Sequence, residues 1–140
     1  MPPKSRRFAN CAMISQLFLV LGEAHSIHAQ PTLDYAKMNK AIDADIAKRR
    51  ADLPQQMAPD LYVTGLERLD KAIVYTLKFT TVDLQPTAAM KQEVTTDMTK
   101  RACADPNQRK MMEWGYTYSW LYLDAKNSYV ARVYVDLSKC

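Results

Sequence analysis

The residues with the most distinctive chemistry in this sequence are its three cysteines, Cys11, Cys103 and Cys140, and its two histidines, His25 and His28. A cysteine becomes a nucleophile when a neighbouring base lowers the pKa of its thiol, and histidine is the usual base at neutral pH. Neither Cys103 nor Cys140 has a histidine near it in the sequence. The spacing of these residues therefore does not indicate nucleophilic catalysis.

The first 29 residues have the organisation of a secretory signal peptide. Three basic residues precede an apolar run over residues 11–21, and a polar stretch then ends at Ala29. This order of segments is typical of a signal that is cleaved on export. We predict cleavage after Ala29, with cleavage after Ser26 as the alternative, so that residues 1–29 are the signal and residues 30–140 form one domain. The apolar run is short and contains polar residues, so it does not predict a stable membrane span.

Export changes the interpretation of the cysteines. Cys11 lies within the predicted signal and has no lipoprotein cleavage motif before it, which leaves Cys103 and Cys140. Two thiols in a small protein of an oxidising compartment are most simply explained by one disulfide, the alternative being two free thiols. The bond would close a loop of about 38 residues and stabilise the fold by roughly 4 kcal/mol. Two cysteines without histidine cannot complete a zinc site, so no metal or cofactor is predicted.

Removing the signal also removes both histidines and part of the positive charge. The whole chain carries a net charge of +4, whereas residues 30–140 contain 16 basic and 14 acidic residues. That balance gives no concentrated basic surface for nucleic acid. The sequence has no glycine-rich phosphate loop, and no carboxylate spacing singles out an acid–base pair. We therefore predict a protein that is not an enzyme, with a small hydrolase that uses paired carboxylates as the minority alternative.

Hydrophobic periodicity predicts a helix and a hairpin in the first half of the domain. Apolar residues at three- and four-residue spacing indicate a helix over Thr32–Arg50. Residues 55–60, which include a proline, are predicted to be a loop. Strands are expected over Leu61–Leu69, with a bulge at Gly65, and over Ile73–Phe79, where apolar and polar residues alternate.

A second helix is predicted to begin at Pro86 and Thr87 and to lead to Cys103. Three of its apolar residues recur at every fourth position and are expected to face the core: Met90, Val94 and Met98. Asp105 and Pro106 then form a favourable helix start, and Gly115 a favourable left-handed end. A short helix is therefore predicted between Asp105 and Gly115.

Two further strands complete the predicted domain. Residues 116–123 alternate between aromatic and other side chains, and a turn around Asp124 leads to a strand over Tyr129–Leu137. The predicted order is α-β-β-α-α-β-β. This order favours an α+β fold in which helices pack on one face of a four-stranded antiparallel sheet.

The strand over residues 116–123 also holds the candidate contact residues. Its aromatic stripe is better explained as core than as a ligand platform: Tyr116, Tyr118, Trp120 and Tyr122. Leu121 and Leu123 would then lie on the opposite face, where exposed aliphatic side chains indicate a partner contact, a dimer contact or coverage by a loop. Trp114, just before the glycine, is a further candidate anchor.

The spaced features of the chain resemble those of the beta-type pilotins of type II secretion, the AspS class. The features that carry the resemblance are Cys103-x-Asp105, Arg109, Gly115-x-x-Tyr118, Asp124 and Cys140, preceded by Arg50-x-x-Leu53-Pro54 and the Ile73–Phe79 strand. The resemblance covers about Ala47–Cys140. It implies a small periplasmic α/β domain with a disulfide, which holds a helical C-terminal segment of an outer-membrane secretin in an apolar groove. Pilotins of this class are lipoproteins, whereas this chain has no predicted lipid-bearing cysteine.

Taken with the predicted export, the resemblance favours a periplasmic, non-enzymatic protein of a Gram-negative bacterium that binds another envelope protein. The expected partner is a secretin segment. The alternative is an immunity or inhibitor protein that blocks a toxin or a hydrolase. No nucleic acid partner is expected, and the same surface is compatible with a homodimer.

Overall fold

The computed structural model describes residues 32–140, so the predicted signal peptide, with Cys11 and both histidines, lies outside the described residues. Within these residues, three α-helices and five strands follow one another in the order α-β-β-β-α-α-β-β. Their bounds are α1 Tyr35–Arg50, β1 Gln55–Ala58, β2 Leu61–Leu69, β3 Ala72–Phe79, α2 Ala88–Ala104, α3 Pro106–Glu113, β4 Thr117–Leu123 and β5 Tyr129–Val135. A short 3-10 turn, Leu137–Lys139, follows β5.

The predicted α+β class is confirmed, but the predicted four-stranded antiparallel sheet is wrong in two respects. The sheet has five strands in the order β1-β2-β3-β4-β5, and its central pair, β3 and β4, runs parallel. The segment between β3 and β4 contains both α2 and α3. A connection of that length, built from helices, is what parallel neighbours require, because a short turn can only join antiparallel strands.

The additional strand is β1, in the segment that we predicted to be a loop. Gln55–Ala58 pairs antiparallel with β2, and the register shifts between Gln56 and Ala58. The strand is four residues long, lies between Pro54 and Pro59, and has no clear alternation of apolar and polar residues. Tertiary pairing with β2 therefore creates this strand, and the local sequence carries no strong signal for it.

The ends of the elements follow local physical chemistry. The side chain of Asp34 accepts a hydrogen bond from the Lys37 backbone N–H, so α1 begins at Tyr35 and not at Thr32 as predicted. Asp105 caps α3 in the same way, by accepting from the backbone N–H groups of Asn107 and Gln108. Gly115 follows α3 with a φ of 87°, the left-handed conformation that we predicted there.

The hairpin of β2 and β3 has the predicted turn and the predicted bulge. Leu69 pairs with Ala72 across the turn, and Asp70 adopts a positive φ of 55°. The register shifts between Val63 and Gly65. A Cβ atom at Gly65 would lie 3.2 Å from the Thr76 side chain, so a larger residue in the bulge would require that side chain to shift by a few tenths of an ångström.

One face of the sheet and all three helices enclose a single hydrophobic core. The helices contribute Ile42, Ile46, Ala102, Met111 and Met112 to it. The strands contribute alternate residues, among them the aromatic stripe of Tyr116, Tyr118, Trp120 and Tyr122, which is therefore core as predicted.

The inward side of α2 differs from the prediction at one position. Val94 and Met98 pack against the core, but Met90 is 55% exposed. Met90 lies in the first turn of α2, whereas the buried Ala102 lies in its last turn. The helix therefore meets the core along its C-terminal part, and its first turn faces away.

Candidate docking surface

The face of the sheet opposite the core is not covered by α1, α2 or α3, and we call it the open face. Val74 shows the division most clearly, because it is buried yet does not belong to the core cluster, whereas its chain neighbours Ile73 and Tyr75 both do. The register of the strands then places the following residues beside Val74 on the open face: Tyr62, Glu67, Leu69, Ala72, Thr76, Lys78, Thr117, Ser119, Leu121, Leu123, Tyr129, Arg132 and Tyr134.

The open face is built from small side chains at its centre and larger ones at its borders. Val74 and Ser119, neighbours on the two central strands, are each only 5% exposed. Tyr129 and Tyr134 on the edge strand β5 are 66% and 45% exposed. Because side chains stand roughly perpendicular to a sheet, the surface around Val74 and Ser119 lies lower than the tyrosines at the β5 edge and forms a shallow depression there.

A buried polar atom lies in this depression. The Oγ atom of Ser119 is inaccessible and has no hydrogen-bond partner among residues 32–140. A buried hydroxyl is normally hydrogen-bonded, since leaving it unpaired is unfavourable. Ser119 is enclosed by its neighbours on the sheet, so its hydroxyl is not itself a contact point for a docked chain.

Leu121 and Leu123 lie on the open face, as the alternation of β4 predicts. Both are half-buried. Leu121 is beside Thr76 on β3 and Arg132 on β5, and Leu123 is beside Lys78 on β3. The two leucines are thus neighbours on the surface, and cationic side chains stand on either side of them.

Trp114, the third predicted contact residue, lies on the other side of the sheet. It is half-buried against the core at the end of α3, and its carbonyl accepts a hydrogen bond of 2.7 Å from the Tyr35 hydroxyl. The Lys110 ammonium lies 5.2 Å from the centre of its ring. Trp114 thus connects α1 to α3, and the structure does not bring it together with Leu121 and Leu123.

Asp124, at the end of β4, holds the border of the open face next to Leu123. Its buried carboxylate accepts hydrogen bonds from the backbone N–H groups of Ser128 and Lys126, each at 2.8 Å, and from that of Asp83 at 3.1 Å. The hydrogen bond from the Ser128 backbone N–H is the main reason why the pKa of this carboxyl is lowered. One side chain therefore fixes the turn between β4 and β5 and ties it to the loop after β3. Sequence reasoning placed a turn here but missed this role, although an aspartate at the start of a polar turn is a recognisable signal for it.

The buried tyrosines on the core side are poor candidates for acid–base chemistry. Burial raises the pKa of Tyr75 to about 12 and also raises the pKa of Tyr118, so both hydroxyls stay protonated near neutral pH. Within residues 32–140, no three histidine, cysteine or acidic side chains come together as a metal-binding group. No helix in this part of the chain is long and apolar enough to cross a membrane.

The predicted disulfide between Cys103 and Cys140 is present. Its two Cα atoms lie 5.4 Å apart, and the bond joins the end of α2 to the residue after the 3-10 turn. Since α2 packs on β5 from the core side, the disulfide fastens the last residues of the chain to the helical layer.

Comparison with known proteins supports the fold assignment. No protein-family model and no curated protein matches the sequence. Among solved structures, the chain is similar to EpsS, the pilotin of the Vibrio vulnificus type II secretion system, with a TM-score of 0.61, 14% identity, and coverage of 75% of this chain and 93% of EpsS. It is similar to a Pseudomonas aeruginosa protein described as secreted, with a TM-score of 0.66, 14% identity, and coverage of 75% and 94%.

The third similar structure is AspS, the type II secretion pilotin of Vibrio cholerae. The TM-score is 0.52 and the identity 14%, with coverage of 76% of this chain and 98% of AspS. Similarity at this level of identity concerns the fold. The chain thus shares its fold with two type II secretion pilotins, which confirms the resemblance that its spaced features predicted.

Proposed function

We propose that this protein is an exported, non-enzymatic envelope protein that binds a helical segment of a secretin on its open face. The observation that carries the proposal is the fold that the chain shares with two pilotins over nearly their full length. The open face supports it, because the half-buried Leu121 and Leu123 form an apolar patch on a face that no helix of the described chain covers. An amphipathic helix is the partner that buries such a surface along one stripe.

The proposal concerns binding of a secretin segment and not lipid-dependent sorting of the secretin. Export and periplasmic location rest on the signal-peptide pattern of residues 1–29, and they are supported by the shared fold with the Pseudomonas protein that is described as secreted. In that compartment the Cys103–Cys140 disulfide is stable.

Calorimetric titration with synthetic peptides tests the proposal. The oxidised protein is purified from the periplasm and titrated with peptides that cover the C-terminal regions of the secretins encoded in the same genome. We expect one of them to bind, and Leu121→Asp or Leu123→Asp to weaken that binding by about tenfold or more, since a carboxylate would be buried in the apolar contact.

Met90→Asp is the matched control, because Met90 is an exposed apolar residue on α2, away from the open face. It should bind like the wild type. Full affinity in the Leu121 and Leu123 variants would place the contact elsewhere. Failure of every secretin peptide would overturn the proposal, and capture of a toxin or a hydrolase from the periplasm would then favour an immunity or inhibitor protein.

A further inference from the structure

The charged residues of the open face restrict the kind of helix that can dock there. Lys78 on β3 stands in the row of Leu123, and Arg132 on β5 stands in the row of Leu121. Neighbouring strands are about 4.8 Å apart, so a cation lies on each side of the β4 leucines. If a helix lies along β4 on Leu121 and Leu123, one of its flanks faces Lys78 on β3 and the other faces Arg132 on β5.

These two cations are not neutralised within the described chain. Neither the Lys78 ammonium nor the Arg132 guanidinium has an ion-pair or side-chain hydrogen-bond partner among residues 32–140. Four of the six arginines in the same part of the chain do have carboxylate partners: Arg49 with Asp45, Arg68 with Asp43, Arg101 with Asp97 and Arg109 with Glu113.

Glu67 is the acidic residue that the register places on the strands of the open face, and it is distant from both cations. Glu67 lies on β2, in the row of Val74, Ser119 and Tyr134. It is three strands and one row away from Arg132, and one strand and two rows away from Lys78, so that the two separations are roughly 16 Å and 14 Å. Exposed charges at such a distance are largely screened at physiological ionic strength, where the Debye length is about 8 Å.

We propose that the helix bound on the open face carries acidic side chains on both flanks of its apolar stripe, which pair with Lys78 and Arg132. This inference rests on the proposed function and adds the chemistry of the partner. A helix that covers the two leucines removes water from the neighbouring cations, and a charge that loses water without gaining a partner disfavours binding. Carboxylates on the helix compensate for that loss and also speed up encounter with the basic end of the face.

Charge reversal tests this inference with the same secretin peptides. Lys78→Glu and Arg132→Glu should each weaken binding of the peptide that the wild type binds, and the double variant should weaken it by about a hundredfold. Lys91→Glu is the matched control, because Lys91 is an exposed lysine on α2 outside the open face. It makes the same change in net charge and should leave the affinity close to that of the wild type.

Two further measurements separate pairing from a general loss of affinity. Raising the salt concentration should weaken the wild-type complex more than that of the double variant. A peptide with its flanking acidic residues replaced by lysine should bind the double variant better than the wild type. Wild-type affinity in the double variant would overturn the charge inference and leave the proposed function intact, whereas failure of the wild type to bind any secretin peptide would overturn both.

Discussion

The two faces of the sheet use the same strands for different purposes. On β4, Trp120 points to the core, and its ring stacks against those of Tyr75 and Tyr118 with centroid distances of 6.0 Å in both cases. The next residue, Leu121, points to the open face and is only half-buried. The charged residues differ too. On the core side, Arg68 forms an ion pair with Asp43 of α1, whereas the charged groups of Lys78 and Arg132 on the open face have no ion-pair partner among residues 32–140.

This difference indicates that the core side of the sheet provides most of the folding stability, whereas the open face is suited to binding another chain. The core side holds large aromatic side chains in contact with three helices, and such contacts provide much of the free energy of folding. The open face has apolar side chains of moderate size and charges without partners, which add little to folding but are available to another chain. Substitutions on adjacent residues of one strand should therefore have unequal effects.

The largest effect is expected from Trp120→Ala. Trp120 is 3% exposed, so its loss leaves a large cavity and should lower the free energy of unfolding by up to about 5 kcal/mol. Leu121→Ala, one residue away, should cost about 1 kcal/mol or less, because its side chain is already partly in water. Chemical denaturation monitored by circular dichroism measures both.

Equal losses from these two variants would contradict the division between the faces. Should Trp120→Ala fail to fold, Trp120→Phe gives a smaller cavity and still permits comparison with Leu121→Ala. In the peptide titration the order should reverse, so that Trp120→Phe binds like the wild type whereas Leu121→Asp does not.

Removal of the disulfide should have the next largest effect. The Cys103→Ser/Cys140→Ser double variant should lose about 4 kcal/mol of stability, since its unfolded chain is no longer restricted by the loop. Because the bond fastens the end of the chain to the helical layer, the affinity of the folded variant for the secretin peptide should not change. A loss of affinity at a temperature at which the variant is fully folded would show that the open face depends on the disulfide.

The parts of the fold that were predictable are those with a local or periodic signal. Alternation along β3 and β4 assigned Tyr75, Trp120 and Leu121 to the correct faces. Asp105 and Gly115 marked the ends of α3, because capping and a positive φ each favour particular residue types.

The parts that were missed depend on contacts between distant segments. Strand β1 exists through its pairing with β2, and the parallel pairing of β3 with β4 follows from how the connecting helices cross the sheet. The same limit applies to the candidate surface. The sequence placed Leu121 and Leu123 on one face, but only the register showed that Lys78 and Arg132 stand beside them and that Trp114 lies on the opposite side.

The smallest effect concerns the ion pair between α1 and β2. Arg68 donates hydrogen bonds of 2.8 Å and 2.7 Å to the two carboxylate oxygens of Asp43 and thereby lowers the pKa of that carboxyl. A carboxyl with a lowered pKa in the folded state adds stability above its unfolded pKa of about 3.9 and loses that contribution as the pH falls through the folded value. Asp43 is exposed to solvent, so Asp43→Asn should cost about 1 kcal/mol at most near neutral pH.

The comparison between the two faces predicts that Glu67→Gln, unlike Asp43→Asn, does not lower the free energy of unfolding. Both substitutions replace a carboxylate by the corresponding amide, but Glu67 lies on the open face and has no partner among residues 32–140. Unfolding curves at a series of pH values should show a difference between the wild type and Asp43→Asn that disappears in acid, and at neutral pH Glu67→Gln should unfold like the wild type. If Glu67→Gln lowered the free energy of unfolding as much as Asp43→Asn, the charges of the open face would already stabilise the isolated domain. They would then not be available only to a partner.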